Sequence, residues 1–216
     1  MKIYDHIYRQ GSEIFHRKKG RLGAYGSHTG RDPHFVEFLT KYLPEGGRIL
    51  DASCGRGHLA RTLKELGYSV VVTEISEWLI DNELDDLESH CLRYDELADL
   101  KSESFDAVIS NDVLEHLLSK VDVVDAVDNL VNLSRKYVLI SVGTTNNPVR
   151  KYPESLGMNL RSLHLVVEKI AWWRKTFAEK IYPIGIHKLP SNFMFFGRKK
   201  ECVSLSSEVT GSSGAI

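Results

Sequence analysis

The chain has few of the residues that build disulfide-bonded or membrane-spanning proteins. It has 3 cysteines among 216 residues, at positions 54, 91 and 202, and their spacing indicates neither a disulfide framework nor a zinc site. No apolar run approaches the roughly 20 residues that a transmembrane helix needs, and residues 1–6 have no apolar signal region. We therefore expect a soluble protein of the reducing cytoplasm, with no metal and no membrane partner.

Charge of one sign is not in excess. The chain has 28 Lys and Arg against 29 Asp and Glu, a net charge of −1, which gives no general attraction to nucleic acid or to an anionic membrane. The basic run 17–21 is either a local patch or a solvated helix end. No nucleic-acid partner is expected, and the sequence does not indicate an oligomeric state.

What the chain does have is enough apolar content for one core. Its 42% hydrophobic residues suit a single domain over residues 1–200. Residues 1–45 are predicted to be an N-terminal helical segment that precedes the sheet. The Ser- and Gly-rich residues 201–216 are predicted to be a disordered tail.

The most informative segment is 48–74, which has the pattern of a strand, a helix and a second strand. An apolar run ends in Asp51 and is followed by a glycine-rich turn, where glycine allows positive φ and close approach of a ligand. The helix after the turn has leucines at helical spacing, and a β-branched run then ends in Glu74. Two parallel strands therefore end in an acidic residue.

The acidic tips favour one class of ligand. Glycine-rich turns between strand and helix also bind dinucleotides, but a carboxylate at Asp51 would repel a pyrophosphate. It suits a cationic ligand with an amino acid group, and Glu74 suits the two hydroxyls of a ribose. S-adenosylmethionine has both groups.

These residues resemble a known family. The segment 51–57 is similar to the first motif, Asp-x-Gly-x-Gly-x-Gly, of class I S-adenosylmethionine-dependent methyltransferases. Ser53 replaces the first glycine, so either its backbone does not need positive φ or the turn is strained. The segment 104–117 resembles the fourth strand and following loop of the small-molecule (type 11/12-like) branch.

The resemblance implies an α/β fold with a Rossmann-like, doubly wound sheet of seven strands, mostly parallel with the last strand antiparallel. The alternating pattern agrees, because parallel strands need long crossovers. Strands are predicted near 89–92, 105–110, 137–142, 181–187 and 193–198, with helices near 33–42, 121–133 and 165–177. The polar segment 143–163 is predicted to be a loop that shapes the site.

The resemblance also implies a set of cofactor-binding residues. Asp51 would act on the amino group, directly or through water, and Glu74 on the ribose. Asp95 would accept from the adenine amino group, or else is a surface charge, and Ile75 and Leu97 would enclose the ring. Cys54 is predicted to be a packed residue. The full set is Asp51, Ser53, Gly55, Gly57, Glu74, Ile75, Asp95, Glu96 and Asn111.

Catalytic candidates follow the fourth and fifth strands. His164 is a hypothetical general base, or else caps a helix or faces solvent, and Asn111 would contact the methionine part or the acceptor. For Glu115 and His116 the prediction is packing within the loop. Tyr25 and His28 lie in a segment that could close over the pocket or be purely structural.

The predicted function is methyl transfer from S-adenosylmethionine to a small polar metabolite or a glycan-like acceptor, with oxygen as the favoured nucleophile. One alternative is a nucleic-acid methyltransferase. Enzymes that methylate base amines carry Asn/Asp-Pro-Pro-Tyr/Phe after the fourth strand, whereas this chain has Asn-Asp-Val-Leu at 111–114. The other alternative is a non-catalytic module that binds S-adenosylmethionine.

Overall fold

The computed structural model describes residues 4–9, 32–144, 164–189 and 192–200. In these ranges seven strands form one sheet in the order β3-β2-β1-β4-β5-β7-β6. The strands are β1 Arg48–Ala52, β2 Ser69–Glu74, β3 Glu88–Cys91, β4 Phe105–Asn111, β5 Ser134–Gly143, β6 Ile181–Lys188 and β7 Asn192–Lys199. The helices are α1 (residues 4–9), α2 Asp32–Tyr42, α3 His58–Glu65, α4 Glu77–Glu83, α5 Lys120–Leu133 and α6 Ile170–Lys180. Glu96–Asp99 and Leu114–His116 form short 3₁₀ turns.

Strand directions match the predicted architecture. β1 is parallel to β2 and β4, β2 to β3, and β4 to β5, whereas β7 is antiparallel to both β5 and β6. Asp51 lies opposite Val72 on one side and Ile109 on the other. The prediction of a mostly parallel sheet with an antiparallel last strand is confirmed.

Alternation along the central strands divides the core between the two faces of the sheet. Ile49 and Leu50 are both fully buried, yet they belong to different hydrophobic clusters. Because successive side chains of a strand point to opposite faces, each cluster lies between the sheet and one layer of helices. Burial on both faces explains why these strands read as continuous apolar runs.

Helix α5 shows how the layers form. Its buried residues recur at helical spacing and make one stripe that faces the sheet, namely Val123, Ala126, Val127, Leu130, Val131 and Leu133. Ser119 precedes the helix, and its hydroxyl accepts a hydrogen bond from the amide of Asp122 at 3.2 Å, which satisfies a donor that the helix leaves open.

Helix α6 differs from its predicted extent. It was expected over 165–177, but it begins at Ile170 and ends at Lys180. Residues 164–169 are not helical, because the amides of Leu165 and Val166 donate to the carbonyl of Glu115 at 2.8 and 3.0 Å. The predicted tail, Tyr25, His28 and residues 145–163 lie outside the described residues. No helix within the described ranges has the length and hydropathy that a bilayer crossing requires.

Candidate active site

The crevice lies where the strand order reverses. From β1 the chain builds β2 and β3 on one side and β4 and β5 on the other, so the connections diverge at the carboxyl ends of β1 and β4. Open α/β sheets bind ligands at such a point. Asp51, Glu74 and Asn111 lie at or next to the carboxyl ends of β1, β2 and β4.

Two backbone amides of the turn after β1 bind the turn to Thr73 of β2. The amide of Ser53 donates to Thr73 Oγ1 at 3.2 Å, and the amide of Cys54 donates to the Thr73 carbonyl at 3.0 Å. Ser53 has φ 61°, Gly55 57° and Gly57 70°. Of the two alternatives for Ser53, the structure shows the strained one, since a non-glycine residue in the left-handed region costs about 1 kcal/mol or more.

Gly57 is required by packing as well as by its backbone. A Cβ added there would lie 2.7 Å from Leu87 Cδ1 and 2.9 Å from Leu84 Cδ2. The space beside this glycine is therefore filled by the segment that follows α4. The sequence assigned Gly57 to ligand approach alone and missed this contact.

Glu74 is bound to the loops on either side of it. Its Oε2 accepts from the amide of Gly55 at 2.9 Å, and its Oε1 accepts from the amides of Ile75 at 3.0 Å and Ser76 at 3.1 Å. A carboxylate offers about four lone-pair sites, so roughly one remains. Accepting both ribose hydroxyls would require Glu74 to release one of these amides, most directly that of Gly55.

Two buried carboxyls dominate the electrostatics of the crevice. Asp51 and Glu74 are each 2% exposed. Burial raises the pKa of Asp51 to about 7, helped by the charges of Asp32 and Glu74. Burial also raises the pKa of Glu74 to about 7, against the opposing effect of its three backbone hydrogen bonds. Neither carboxyl forms an ion pair with a cationic side chain among the described residues.

Asn111 belongs to a polar network at the end of β4. Its Oδ1 lies 2.6 Å from Ser141 Oγ, and Asp112 Oδ1 lies 2.8 Å from the same hydroxyl. Asn192 Nδ2 donates to Asp112 Oδ1 at 3.0 Å. Asp112 has φ 56°, which turns the chain sharply after the strand. The network orients Asn111 at the crevice.

A second group of side chains lies beyond the end of β4. Glu115, His116 and His164 each have a potential metal-ligating atom within 4.8 Å of the other two. The two imidazole rings are 4.6 Å apart between centroids, edge to face. Burial lowers the pKa of His164 to about 4, so its ring is neutral near pH 7. Sequence reasoning assigned Glu115 and His116 to loop packing and did not join them to His164.

Helix α1 contacts three of the loops that form the crevice. The carboxylate of Asp5 accepts from Ser76 Oγ at 2.6 Å and from the amide of Trp78 at 3.1 Å. Arg56, in the turn after β1, donates to the carbonyl of Tyr8 at 2.9 Å. The hydroxyl of Tyr4 lies 3.3 Å from His116 Nδ1. Burial and the charges of Glu74 and Glu115 raise the pKa of Tyr4 to about 12.

The residues expected around adenine differ in their exposure and in their hydrogen-bond partners. Asp95 is largely exposed and pairs with Arg93 at 3.0 Å, and Glu96 accepts from the Arg93 amide at 2.7 Å. Ile75 is half-buried at the end of β2. Leu97 is fully buried in the core cluster on one face of the sheet, and its contact with adenine stays a prediction.

Cys54 is packed, as predicted. Its side chain contacts the core on the α3 face of the sheet. Burial raises the pKa of its thiol, and the neighbouring charges of Asp51 and Glu74 act in the same direction. The thiol therefore stays protonated and is no nucleophile.

Curated relatives are methyltransferases of different acceptors. The chain is 32% identical over 133 residues to the ribosomal protein L11 methyltransferase of Thermotoga neapolitana, covering 58% of this chain and 48% of that protein. It is 32% identical over 151 residues to a ubiquinone biosynthesis O-methyltransferase of Neisseria meningitidis, covering 66% of this chain and 56% of that protein. The chain thus spans about half the length of these relatives.

Solved structures share the fold at low sequence identity. The magnesium protoporphyrin IX methyltransferase of Synechocystis, solved with bound SAH, has a TM-score of 0.65 at 19% identity, over 92% of this chain and 98% of that one. The 1,6-didemethyltoxoflavin-N1-methyltransferase of Burkholderia thailandensis has a TM-score of 0.64 at 14% identity, over 93% of this chain and 90% of that one.

A family model decides the assignment. The model described as a methyltransferase domain matches residues 27–181. This range includes the turn after β1, the acidic residues Asp51 and Glu74, and His164. The chain therefore belongs to this family of methyltransferase domains.

Proposed function

We propose that the protein transfers the methyl group of S-adenosylmethionine to a hydroxyl of a small polar metabolite or a glycan-like acceptor. The observation that carries this proposal is the pair of buried carboxyls, Asp51 and Glu74, at the tips of neighbouring strands. Buried charges are normally paired, and acids with raised pKa values in a crevice are typical of functional sites. A cationic ligand would supply the missing charge.

The cofactor would bind this edge of the sheet in the orientation that the family resemblance implies. Its ammonium group would lie beside Asp51 and its ribose beside Glu74, with the methionine part over the turn at Ser53, Gly55 and Gly57. Its adenine would then extend toward Ile75, Asp95 and Glu96. In this pose Asn111, at the carboxyl end of β4, would contact the methionine part or the acceptor.

The polar residues beyond the end of β4 favour oxygen as the nucleophilic atom of the acceptor. Methyl transfer forms a new bond from the acceptor to the methyl carbon while the carbon–sulfur bond breaks and its electron pair goes to sulfur. A hydroxyl acceptor must also lose its proton, so a polar cluster that contacts it is useful, whereas alignment alone can suffice for an amine. Glu115, His116 and His164 form such a cluster.

The role of His164 is narrowed by its environment. A general base is most effective when its pKa lies near the working pH, and burial lowers the pKa of His164 to about 4. A pKa this low favours a role in which the neutral ring binds and positions the acceptor hydroxyl. It disfavours removal of the hydroxyl proton by His164 alone. The general base stays a prediction, which a comparison of His164→Ala and His164→Gln tests.

An acceptor screen tests the proposal. The purified chain is incubated with methyl-labelled S-adenosylmethionine and four classes of acceptor: phenolic and catecholic metabolites, saccharides, a ribosomal protein fraction, and RNA or DNA. We expect label transfer to a hydroxyl of the first or second class. Transfer only to protein, or only to nucleic acid at physiological salt, would overturn the acceptor class and leave the cofactor assignment standing.

A further inference from the structure

We propose that Glu115, His116 and His164 form a binding site for one divalent transition-metal ion beside the acceptor end of the cofactor crevice. One potential ligating atom of each residue lies within 4.8 Å of the others. Two imidazoles and one carboxylate form a ligand set that suits Zn²⁺ or Fe²⁺ and leaves coordination positions open. The sequence predicted no metal, because the ligands are separated along the chain.

The backbone holds the two halves of this site together. The carbonyl of Glu115 accepts from the amides of Leu165 and Val166 at 2.8 and 3.0 Å, which places His164 against His116. Glu115 is fully buried, and its Oε1 accepts from the amide of Gly143 at 2.6 Å. The segment after β4, the end of β5 and the segment before α6 are thus fixed around one point.

The distances allow coordination after a small closure. Oxygen and nitrogen ligands bind zinc at about 2.0–2.2 Å and lie roughly 3.3–3.5 Å apart in a tetrahedral site. A largest separation of 4.8 Å therefore requires the side chains to close by at most about 1.5 Å. Rotation of the two partly buried imidazoles about their side-chain bonds can supply this.

Tyr4 supplies a supporting contact. Its hydroxyl oxygen lies 3.3 Å from His116 Nδ1 and can accept the hydrogen that this nitrogen carries when Nε2 binds a metal. Metal-binding histidines commonly donate their second nitrogen to such a partner, which fixes the ring and the tautomer. Helix α1 therefore contacts both the cofactor crevice and the metal site.

The ion would act on the acceptor. Three protein ligands leave room for an acceptor oxygen, and a bound cation lowers the pKa of a coordinated hydroxyl. The hydroxyl proton would leave to water before the oxygen attacks the methyl carbon. This role rests on the proposed function and deepens it to acceptors whose hydroxyl can reach the ion.

Metal binding is tested without turnover. The full chain is treated with a chelator, and Zn²⁺ binding is measured by calorimetry and by elemental analysis after gel filtration. Co²⁺, whose visible absorption reports coordination, is the spectroscopic probe. We expect one ion per chain, with binding weakened at least about 10-fold in His116→Ala and in His164→Ala, and about 10-fold in Tyr4→Phe. Glu115→Gln keeps an acceptor for Gly143 and should lose the ion while remaining folded.

The control is a second histidine pair. His34 and His187 lie 4.8 Å apart between ring centroids, and His187→Ala should leave metal binding unchanged. A folded wild-type protein that takes up no ion, or ligand variants that bind as His187→Ala does, would overturn the metal site. S-adenosylmethionine binding is measured in the same samples. If the wild-type protein does not bind S-adenosylmethionine, that result would count against the proposed function and not against the metal site.

Discussion

At the scale of single residues, the site is defined by acids that the fold keeps from water. Asp51 and Glu74 are almost fully buried, with pKa values raised to about 7, and Asp32 adds charge beside Asp51. Such carboxyls oppose folding when they ionise without a partner. Under the proposed function, the cationic cofactor would compensate these charges when it binds.

Asp51→Asn should show this opposition directly. Between about pH 4 and pH 7 the native carboxyl still holds a proton that the unfolded chain has lost, so its contribution to stability falls as pH rises. The substitution should therefore raise the free energy of unfolding by about 1–3 kcal/mol near pH 8 and change it little near pH 4. Urea denaturation at both pH values measures this.

The matched control is Asp106→Asn, at the opposite end of the same sheet. Asp106 accepts from the amide of Arg48 at 3.0 Å and lies 3.8 Å from the guanidinium of Arg135, so its substitution should not stabilise the protein near pH 8. Should Asp51→Asn lose stability near pH 8, the raised pKa of Asp51 would be refuted.

Ser53→Gly tests the strained turn. Ser53 has φ 61°, which glycine adopts without steric cost, although glycine also gains freedom in the unfolded chain. We expect a stabilisation of about 0.5–1 kcal/mol, or roughly 1–4 °C in Tm, measured by calorimetry. Ser53→Ala keeps the Cβ and should bring no gain. Equal effects of the two substitutions would locate the strain elsewhere.

At the scale of secondary-structure elements, α1 joins the loops around the crevice. It is a short helix, yet its side chains or carbonyls contact the turns after β1, β2 and β4. Through these polar contacts α1 links the turn after β4 to the turns after β1 and β2. We therefore expect a displacement of α1 to make these loops less ordered.

Asp5→Ala should loosen this connection. Asp5 accepts two hydrogen bonds from the start of α4. Their loss should lower the free energy of unfolding by about 1–3 kcal/mol. Because Ser76 also donates its amide to Glu74, we expect S-adenosylmethionine to dissociate several-fold faster. Stopped-flow displacement measures the rate. Asp81→Ala, an exposed position of the same helix, is the control, and equal rates in both variants would contradict the role of α1.

At the scale of the whole molecule, the features that can be predicted from the sequence are those that depend on residues close together in the chain. The β1-turn-α3-β2 unit and the acidic tips at Asp51 and Glu74 follow from apolar periodicity and glycine placement within 27 residues, 48–74. The start of α6 and the site at Glu115 depend on contacts between distant segments. The hydrogen bond of Glu115 to Gly143 spans 28 residues, and nothing near Leu165 indicates that its amide binds the Glu115 carbonyl.

Leu97 shows the same limit in the core. Its place after β3 suggested a contact with adenine, but whether a leucine faces a ligand or the interior depends on the packing of α5 and β4 against it. In the structure it is fully buried with Leu50 and Val108. Residue type alone does not separate these two roles.

Calorimetric titration of the protein with S-adenosylmethionine, in two buffers of different ionisation enthalpy near pH 7, tests the proposed cofactor site most directly. We expect one site per chain and net release of protons, because a cationic ligand lowers the raised pKa values of Asp51 and Glu74. Glu74→Gln should bind at least about tenfold more weakly, while Glu88→Gln, an exposed position on β3, should bind as the wild type does. Binding without proton release and unchanged in a folded Glu74→Gln variant would contradict the proposed cofactor site.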